Sequence, residues 1–207
     1  FEELKQKAAS LEQARGELTR RISELDLLSD IERAMSEAQT PDELLDVVVR
    51  LISPLLGADA ASLGIVDLAA GVLQFRAATG DRAQEIMRRT LPPQQGLIGV
   101  AISSGRPVRV ERAAEDPRHA KDIARDLAFA PGPLLAVPLV ADGRALGALE
   151  VLRLEGKAAF SDDDERILEL LGARVASALA GARRRERGKR DEQLSTIGSM
   201  LSGIVHD

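Results

Sequence analysis

The sequence predicts an α+β domain built around one central antiparallel sheet of about five to six strands, flanked by helices and extended by coiled-coil helices at both ends. Two observations support this prediction. Five segments with alternating apolar residues lie between helical patterns at the two ends of the chain, and short turns join most of them. Asp142-Gly143 is the strongest of these turns, because this dipeptide favours the tight hairpins of antiparallel sheets.

Composition restricts the kind of core and the kind of site that the chain forms. Of its 207 residues 44% are apolar, yet there is no Trp or Tyr and only four Phe, so we expect an aliphatic core. The absence of Cys excludes disulfides and thiolate metal sites, and the two His residues predict no metal site of their own. A net charge of −5 predicts no general affinity for nucleic acid.

Hydropathy gives an expectation about location. No apolar run approaches the roughly 18 residues that span a bilayer. We therefore expect no membrane contact in this segment and a cytoplasmic location, with a membrane segment upstream in a longer parent protein left open. The first residue is Phe1, and we expect the chain to be part of such a parent.

The first 27 residues carry a heptad pattern. Leu4, Leu11, Leu18 and Leu25 are each seven apart, and charged or polar residues fill most of the positions between them. This pattern is typical of a coiled-coil seam, so we predict an N-terminal coiled-coil helix over residues 1–27 and a parallel homodimer. A single amphipathic helix packed on its own domain is the alternative.

Residues 28–180 form the predicted central domain. Thr40-Pro41-Asp42-Glu43 favours a helix start, because it offers an N-cap hydroxyl, a proline in the first turn and a capping-box acid. Ser161 and Asp164 form a second capping box, which opens a helix that runs to the chain end. Between these helices we predict a short helix from Asp81 to Arg89, a brief helix over Gly96–Gly105 and five strands. The strands are Ala61–Val66, Leu73–Ala77, Pro107–Val110, Leu135–Leu139 and Ala145–Leu152.

Three stretches of this central domain resemble the GAF-domain family. GLIGVAISSGRPVRVERAAEDPRH, from Gly96 to His119, is similar to the central family signature of a Gly-initiated helix, a Gly-x-Pro strand entry and an Asp-Pro-Arg loop. LLAVPLVADGRALGALEV, from Leu134 to Val151, resembles the following hairpin, and FSDDDERILELLGARVASAL, from Phe160, resembles the closing helix. The resemblance implies a GAF-like sensor domain over about residues 28–180.

The resemblance also implies a place for a small-molecule ligand, between the sheet and the segment after the Pro-Val strand. By position, the candidate ligand contacts are Arg76, Arg109, Arg118, His119 and Phe129. Arginines suit an anionic ligand through forked hydrogen bonds. The alternative is that residues 116–119 are a turn with solvated charges. Covalent bilin binding and the cyclic-nucleotide pattern are both discounted, because the chain contains no Cys and no Asn.

The last fourteen residues, LSTIGSMLSGIVHD, predict an exposed histidine. Leu194, Ile197, Leu201 and Ile204 form one apolar stripe of a helix, and His206 lies about 170° away from it. The run GSMLSGIVHD resembles the start of the phosphoacceptor box of sensor histidine kinases. That resemblance implies that His206 is the phosphoacceptor and Asp207 its general base. On chemistry alone, His206 is equally an ordinary exposed polar residue.

Residues 181–207 are therefore predicted to be a signalling helix that leads into the phosphoacceptor helix. Leu171, Val175, Ala178 and Ala182 set one heptad phase, which breaks before Leu194, and we expect this break to act as the switch between signalling states. The basic run over residues 183–190 is interpreted as a solvated linker helix, with phosphate or anionic lipid contact as the alternative.

Together these observations predict the sensory and dimerisation region of a two-component sensor histidine kinase. The chain has no Gly-rich phosphate loop, so we expect it to lack catalysis and cofactors of its own. A kinase domain of the parent, acting in cis or in trans, would use ATP and Mg²⁺, and a response regulator would accept the phosphoryl group. Two alternatives stay open: a ligand-free dimerisation and transmission module, and a GAF sensor coupled to a cyclase, phosphatase or transcription factor.

Overall fold

The computed structural model of the chain describes residues 40–120 and 131–204, together with scattered positions before residue 39. The chain divides into two units, Phe1–Gln39 and Thr40–Asp207. The isolated positions described within residues 1–27 are helical. The pairing of this helix into a coiled coil stays a prediction.

The second unit contains four helices and six strands within its described residues. The helices are α1 (Pro41–Leu55), α2 (Ala83–Ile86), α3 (Gly96–Ser104) and α4 (Asp162–Ile204), and the strands are β1 (Ala60–Asp67), β2 (Val72–Ala78), β3 (Thr90–Leu91), β4 (Val108–Val110), β5 (Pro131–Ala141) and β6 (Arg144–Leu154). The strands form one sheet in the order β3-β2-β1-β6-β5-β4, and all of its pairings are antiparallel. The predicted α+β class with a six-stranded antiparallel sheet is confirmed.

Two capping interactions fix the starts of the long helices. Thr40 Oγ1 accepts a hydrogen bond from the Glu43 N–H at 3.2 Å at the start of α1. At the start of α4, the Asp164 N–H donates to Ser161 Oγ at 3.1 Å and the Ser161 N–H donates to Asp164 Oδ2 at 2.8 Å. These bonds satisfy backbone donors that have no partner inside the helix, which is why both predicted starts are observed.

Side chains on the central strands alternate between two layers. Val137 and Leu139 of β5 face α4, where Gly172 leaves little room for a Cβ atom, since one would lie 3.1 Å from Val137 Cγ2. Ala136 and Ala148 face the opposite side and pack in a buried cluster with the apolar residues of α3. The sheet therefore has two covered faces. We call the face covered by α1 and α4 the helical side, and the opposite face, covered by α3, the α3 side.

The course of α4 corrects the predicted seam. Leu171 is 2% exposed and Val175 is 0% exposed, because this stripe packs on the sheet of its own domain. Both residues are therefore unavailable to a coiled-coil partner, and α4 still contacts the domain after Ala182, where Arg184 pairs with Asp142. The predicted helix from Asp81 to Arg89 is also shorter than expected, since α2 covers only Ala83–Ile86.

A close approach of two central strands makes Gly147 a sensitive position. A Cβ atom at Gly147 would collide with the backbone carbonyl oxygen of Gly64 on β1. We expect Gly147→Ala to lower the free energy of unfolding by about 3 kcal/mol or more, since neither backbone can move without breaking the ladder.

The measurement is urea denaturation followed by circular dichroism, because the chain has no Trp or Tyr for fluorescence. Gly188→Ala is the matched control: Gly188 lies in α4 with nothing within 4 Å of a built Cβ. It should raise stability by up to about 1 kcal/mol through helix propensity. Equal unfolding midpoints for the two variants would contradict this account of the strand contact.

Candidate functional site

A cavity of about 110 Å³ lies on the α3 side of the sheet, above the start of β1 and the second half of β6. Ser62 of β1 and Glu150 of β6 lie directly opposite each other in its floor. The α2 segment and His119 contribute to its walls. The described lining residues are Ala60, Ala61, Ser62, Thr79, Asp81, Arg82, Ala83, Ile86, His119, Pro131, Leu134, Glu150 and Leu152.

Glu150 is the unusual residue of this floor. Its neighbours across the sheet are Ser62 on one side and Ala136 on the other. Glu150 is half-buried, and the protein atoms around its carboxyl group remove part of its hydration, which raises its pKa from an ordinary 4.5 to about 7. Desolvation is the sole cause of the shift, so no charge or hydrogen bond of the described residues offsets it. The carboxyl group thus changes charge close to neutral pH.

Ser62 and Thr79 add hydroxyl groups to the lining. Ser62 is only 9% exposed, and it is the buried polar residue of the described core. Thr79 Oγ1 accepts a hydrogen bond from the Ala61 N–H at 3.0 Å and lies 2.6 Å from Ser53 Oγ of α1. Thr79 is thereby held in place by the backbone, whereas Ser62 presents its side chain beside Glu150.

The turn before His119 is closed on itself. Arg118 donates from Nε and Nη2 to the two carboxylate oxygens of Asp116, at 2.9 and 2.7 Å, and its N–H also donates to Asp116 Oδ1. The Arg118 hydrogen bonds lower the pKa of Asp116 to about 2. The turn therefore resembles the predicted alternative of a self-contained charged loop, but it also carries His119 into the cavity wall.

Two of the predicted ligand contacts lie on the helical side of the sheet. Arg76 donates to both carboxylate oxygens of Asp42 on α1, at 2.5 and 2.7 Å. It sits at a bulge, because the β1–β2 ladder passes from Ala77 to Phe75 and leaves Arg76 without a partner residue in β1. The structure thus assigns Arg76 to an ion pair and not to the cavity lining.

Arg109 has a similar role at the other edge of the sheet. Its Nη2 lies 2.6 Å from Asp162 Oδ1, and its Nε lies 3.2 Å from Glu165 Oε2, both at the start of α4. Arg118 also pairs outside the cavity, so His119 is the candidate that lines it among the described residues. Phe129, His206 and Asp207 lie outside the described residues.

Sequence reasoning missed Glu150 and Ser62. The available signal was an acidic residue inside the otherwise apolar strand Ala145–Leu152, two residues before the strand ends. Such a residue is costly unless it serves a purpose, because a buried carboxylate loses its hydration. The face of the sheet that Glu150 occupies could be assigned only from the register of β6 against β1.

Comparison with known proteins decides the family. A family model described as a GAF domain matches residues 38–180. The chain belongs to the GAF domain family. Within the described residues, no helix has the length and apolar character needed to cross a membrane. The same part of the chain holds no cluster of three or more His, Asp or Glu side chains suited to a metal ion.

Relatives of this GAF domain occur in proteins with several different names. A probable 3′,5′-cyclic phosphodiesterase, pde-5 of Caenorhabditis elegans, is 25% identical over 178 residues, which are 80% of this chain and 24% of that protein. The chain thus spans about a quarter of the length of this curated relative.

Solved structures share the fold. The GAF domain of a phosphoenolpyruvate-protein phosphotransferase from Coxiella burnetii has a TM-score of 0.73 at 25% identity, over 80% of this chain and 98% of that one. A free methionine-R-sulfoxide reductase from Neisseria meningitidis, solved in complex with its substrate, has a TM-score of 0.67 at 22% identity, over 78% and 91%. The second likeness shows the fold alone.

The buried carboxyl group predicts a specific dependence of stability on pH. Because the pKa of Glu150 is raised in the folded state, its contribution is fully present below the unfolded value near 4.5. That contribution is lost as pH rises through about 7. We expect Glu150→Gln to remove this loss, so that the variant is more stable than wild type at pH 8 by about 1–3 kcal/mol.

Urea denaturation at intervals from pH 4.5 to 8 measures the free energy of unfolding of wild type and variant, and the difference between the two is the effect of Glu150. Glu111→Gln, which removes an exposed carboxylate outside the cavity, should follow the wild-type curve throughout. Parallel curves for wild type and Glu150→Gln would mean that the carboxyl group is already hydrated in the folded protein.

Proposed function

We propose that this GAF domain is the ligand-sensing region of a two-component sensor histidine kinase, and that it relays occupancy of the cavity through α4 to His206. The observation that carries the proposal is the half-buried, ionisable Glu150 in the floor of a partly open cavity. A carboxyl group held in this way is a functional-site candidate, since its burial costs stability and no structural partner offsets that cost.

A direct physical route from the cavity to α4 supports the relay. Glu150 lies on β6, which begins at Arg144 immediately after the Asp142-Gly143 turn. Arg184 of α4 donates from Nη1 to Asp142 Oδ2 at 2.7 Å. A ligand that shifts β6 along its length would therefore move the turn that pairs with Arg184 of α4.

The length of α4 supports the output end of the proposal. The helix is continuous from Asp162 to Ile204, a span of 43 residues. Beyond Ala180 it extends for about 36 Å at 1.5 Å per residue. In this proposal the two copies of the chain pair in parallel along this extension, and a rotation of the pair presents or withdraws His206.

The chemistry at His206 follows from the resemblance of GSMLSGIVHD to the phosphoacceptor box. A kinase domain of a longer protein, in cis or in trans, would supply the γ-phosphoryl group of ATP with Mg²⁺. Asp207 accepts the proton that the imidazole loses as its nitrogen attacks phosphorus. An aspartate of a response regulator then receives the phosphoryl group.

A different output is the second candidate. The named relatives include a probable cyclic phosphodiesterase and a phosphoenolpyruvate-protein phosphotransferase. The same sensing domain therefore fits ahead of an output other than a histidine kinase, and a ligand-free dimerisation and transmission module is a separate alternative.

Phosphorylation of the full-length gene product tests the output. Incubated with radiolabelled ATP and Mg²⁺, the wild-type protein should acquire an acid-labile, base-stable label, as expected of a phosphorylated imidazole. We expect His206→Gln to lose this label by at least a hundredfold, because glutamine cannot act as the nucleophile.

Thr196→Ala is the control, ten residues before position 206 in the sequence, and should retain the label. A label that persists in His206→Gln, or one that is acid-stable, contradicts the proposed phosphoacceptor. A wild-type protein that acquires no label contradicts the kinase output and favours the second candidate.

A further inference from the structure

We propose that the cavity over Glu150 selects small organic cations, in which an ammonium or amidinium group pairs with the carboxylate while the apolar part contacts the walls. This inference rests on the proposed function, because it assumes that the cavity is the sensory site. It reverses the charge that the sequence alone suggested, since the arginines expected to attract an anion are paired elsewhere.

The lining of the cavity has the composition that such a ligand requires. Most of its described residues are apolar, among them Ile86, Pro131, Leu134 and Leu152. Glu150 is the acid in its floor, opposite the Ser62 hydroxyl. An apolar chamber with one carboxylate at its floor discriminates by charge, because a cation gains a charge-assisted hydrogen bond and an anion is repelled.

The other charged groups of the lining leave the cavity anionic. Arg82 is paired with Glu85 through a contact of 2.9 Å between Nη1 and Oε1. His119 lies close enough to Asp116 to interact with its carboxylate. Asp81 adds a further acidic group to the lining. Once Glu150 is ionised, the described residues around the ligand therefore favour positive charge.

The size of the cavity limits the ligand. A volume of about 110 Å³ accommodates roughly four water molecules or an organic molecule of comparable bulk. A primary amine with a short aliphatic chain fits this volume. The ligand class is therefore a small amine or amidine of a few heavy atoms beyond its charged group.

Binding of a cation is linked to the ionisation of Glu150. A cation pairs with the carboxylate form, so its binding releases a proton wherever the free site is protonated. Burial raises the pKa of the free group to about 7. The ionised fraction then rises about tenfold between pH 6 and pH 8, and the affinity for a cation should rise by a similar factor.

Three probes of matched size test the charge preference on the whole 207-residue chain. These are n-propylammonium, 1-propanol and propionate, each titrated at pH 6 and pH 8 and followed by ¹H–¹⁵N chemical-shift changes of residues around the cavity. We expect n-propylammonium to bind most tightly of the three, and about tenfold more tightly at pH 8 than at pH 6. The affinity for 1-propanol should not change in this way.

Glu150→Gln and Glu111→Gln separate the floor carboxylate from general surface charge. We expect Glu150→Gln to weaken n-propylammonium binding at least tenfold at pH 8 and to leave 1-propanol unaffected, while Glu111→Gln changes neither. If Glu150→Gln does not fold, the pH dependence of the wild-type chain still decides the question, since it needs no variant.

The outcomes distinguish this inference from the proposed function. Tighter binding of propionate or 1-propanol than of n-propylammonium overturns the cation preference alone, and so does full retention of n-propylammonium binding by Glu150→Gln. Failure of all three probes, together with no small molecule retained by the purified protein in native mass spectrometry, overturns the sensory role of the cavity itself.

Discussion

The constraint on which the structure depends is the burial of one carboxyl group in the centre of an apolar sheet. Glu150 occupies the middle of β6, which pairs with β1 on one side and β5 on the other. At this position an apolar side chain would add to the core cluster around Ala136 and Ala148. The acid instead keeps a cavity open beside that cluster, and its pKa rises because its hydration is removed. The Glu150 carboxyl group lowers the stability of the folded protein, but its charge responds to its surroundings.

On the opposite side of the sheet the charged groups are arginine side chains, and they attach the helices to the sheet. Arg76 and Arg109 attach the edges of the sheet to α1 and α4. Arg153 joins three elements: it donates to the Leu56 carbonyl at 2.6 Å, lies 3.4 Å from Asp164 Oδ2 and stacks 4.0 Å from the centroid of the Phe160 ring. Its side chain is only 14% exposed, so these contacts are worth more than ordinary surface pairs. Arginines that hold helices on one side and the floor acid Glu150 on the other give the two faces of the sheet separate tasks, attachment and ligand contact.

Much of the fold followed from local signals in the sequence. The cap at Thr40, the capping box at Ser161 and the turn at Asp142-Gly143 are each encoded within four residues, and all three are observed. The site was harder to predict because it depends on register. Arg76 was expected in the cavity, but it lies at a bulge of β2 beside α1. No local sequence pattern predicts that bulge. Glu150 reaches the cavity because β6 pairs with β1 so that it lies opposite Ser62. The apolar stripe through Leu171 and Val175 is compatible both with a coiled-coil helix and with a helix packed on a sheet. Periodicity alone does not distinguish these two arrangements.

The ionisation of Glu150 is the property from which the sensory account starts, and it can be observed at a single atom. The most direct measurement is the ¹³C chemical shift of the Glu150 side-chain carboxyl carbon in the free protein, followed by NMR from pH 4 to pH 9 and assigned by its absence in Glu150→Gln. The account predicts a titration midpoint near pH 7. A midpoint near the ordinary value of 4.5 would show a hydrated carboxylate and contradict the enclosed acid on which the proposed sensing depends.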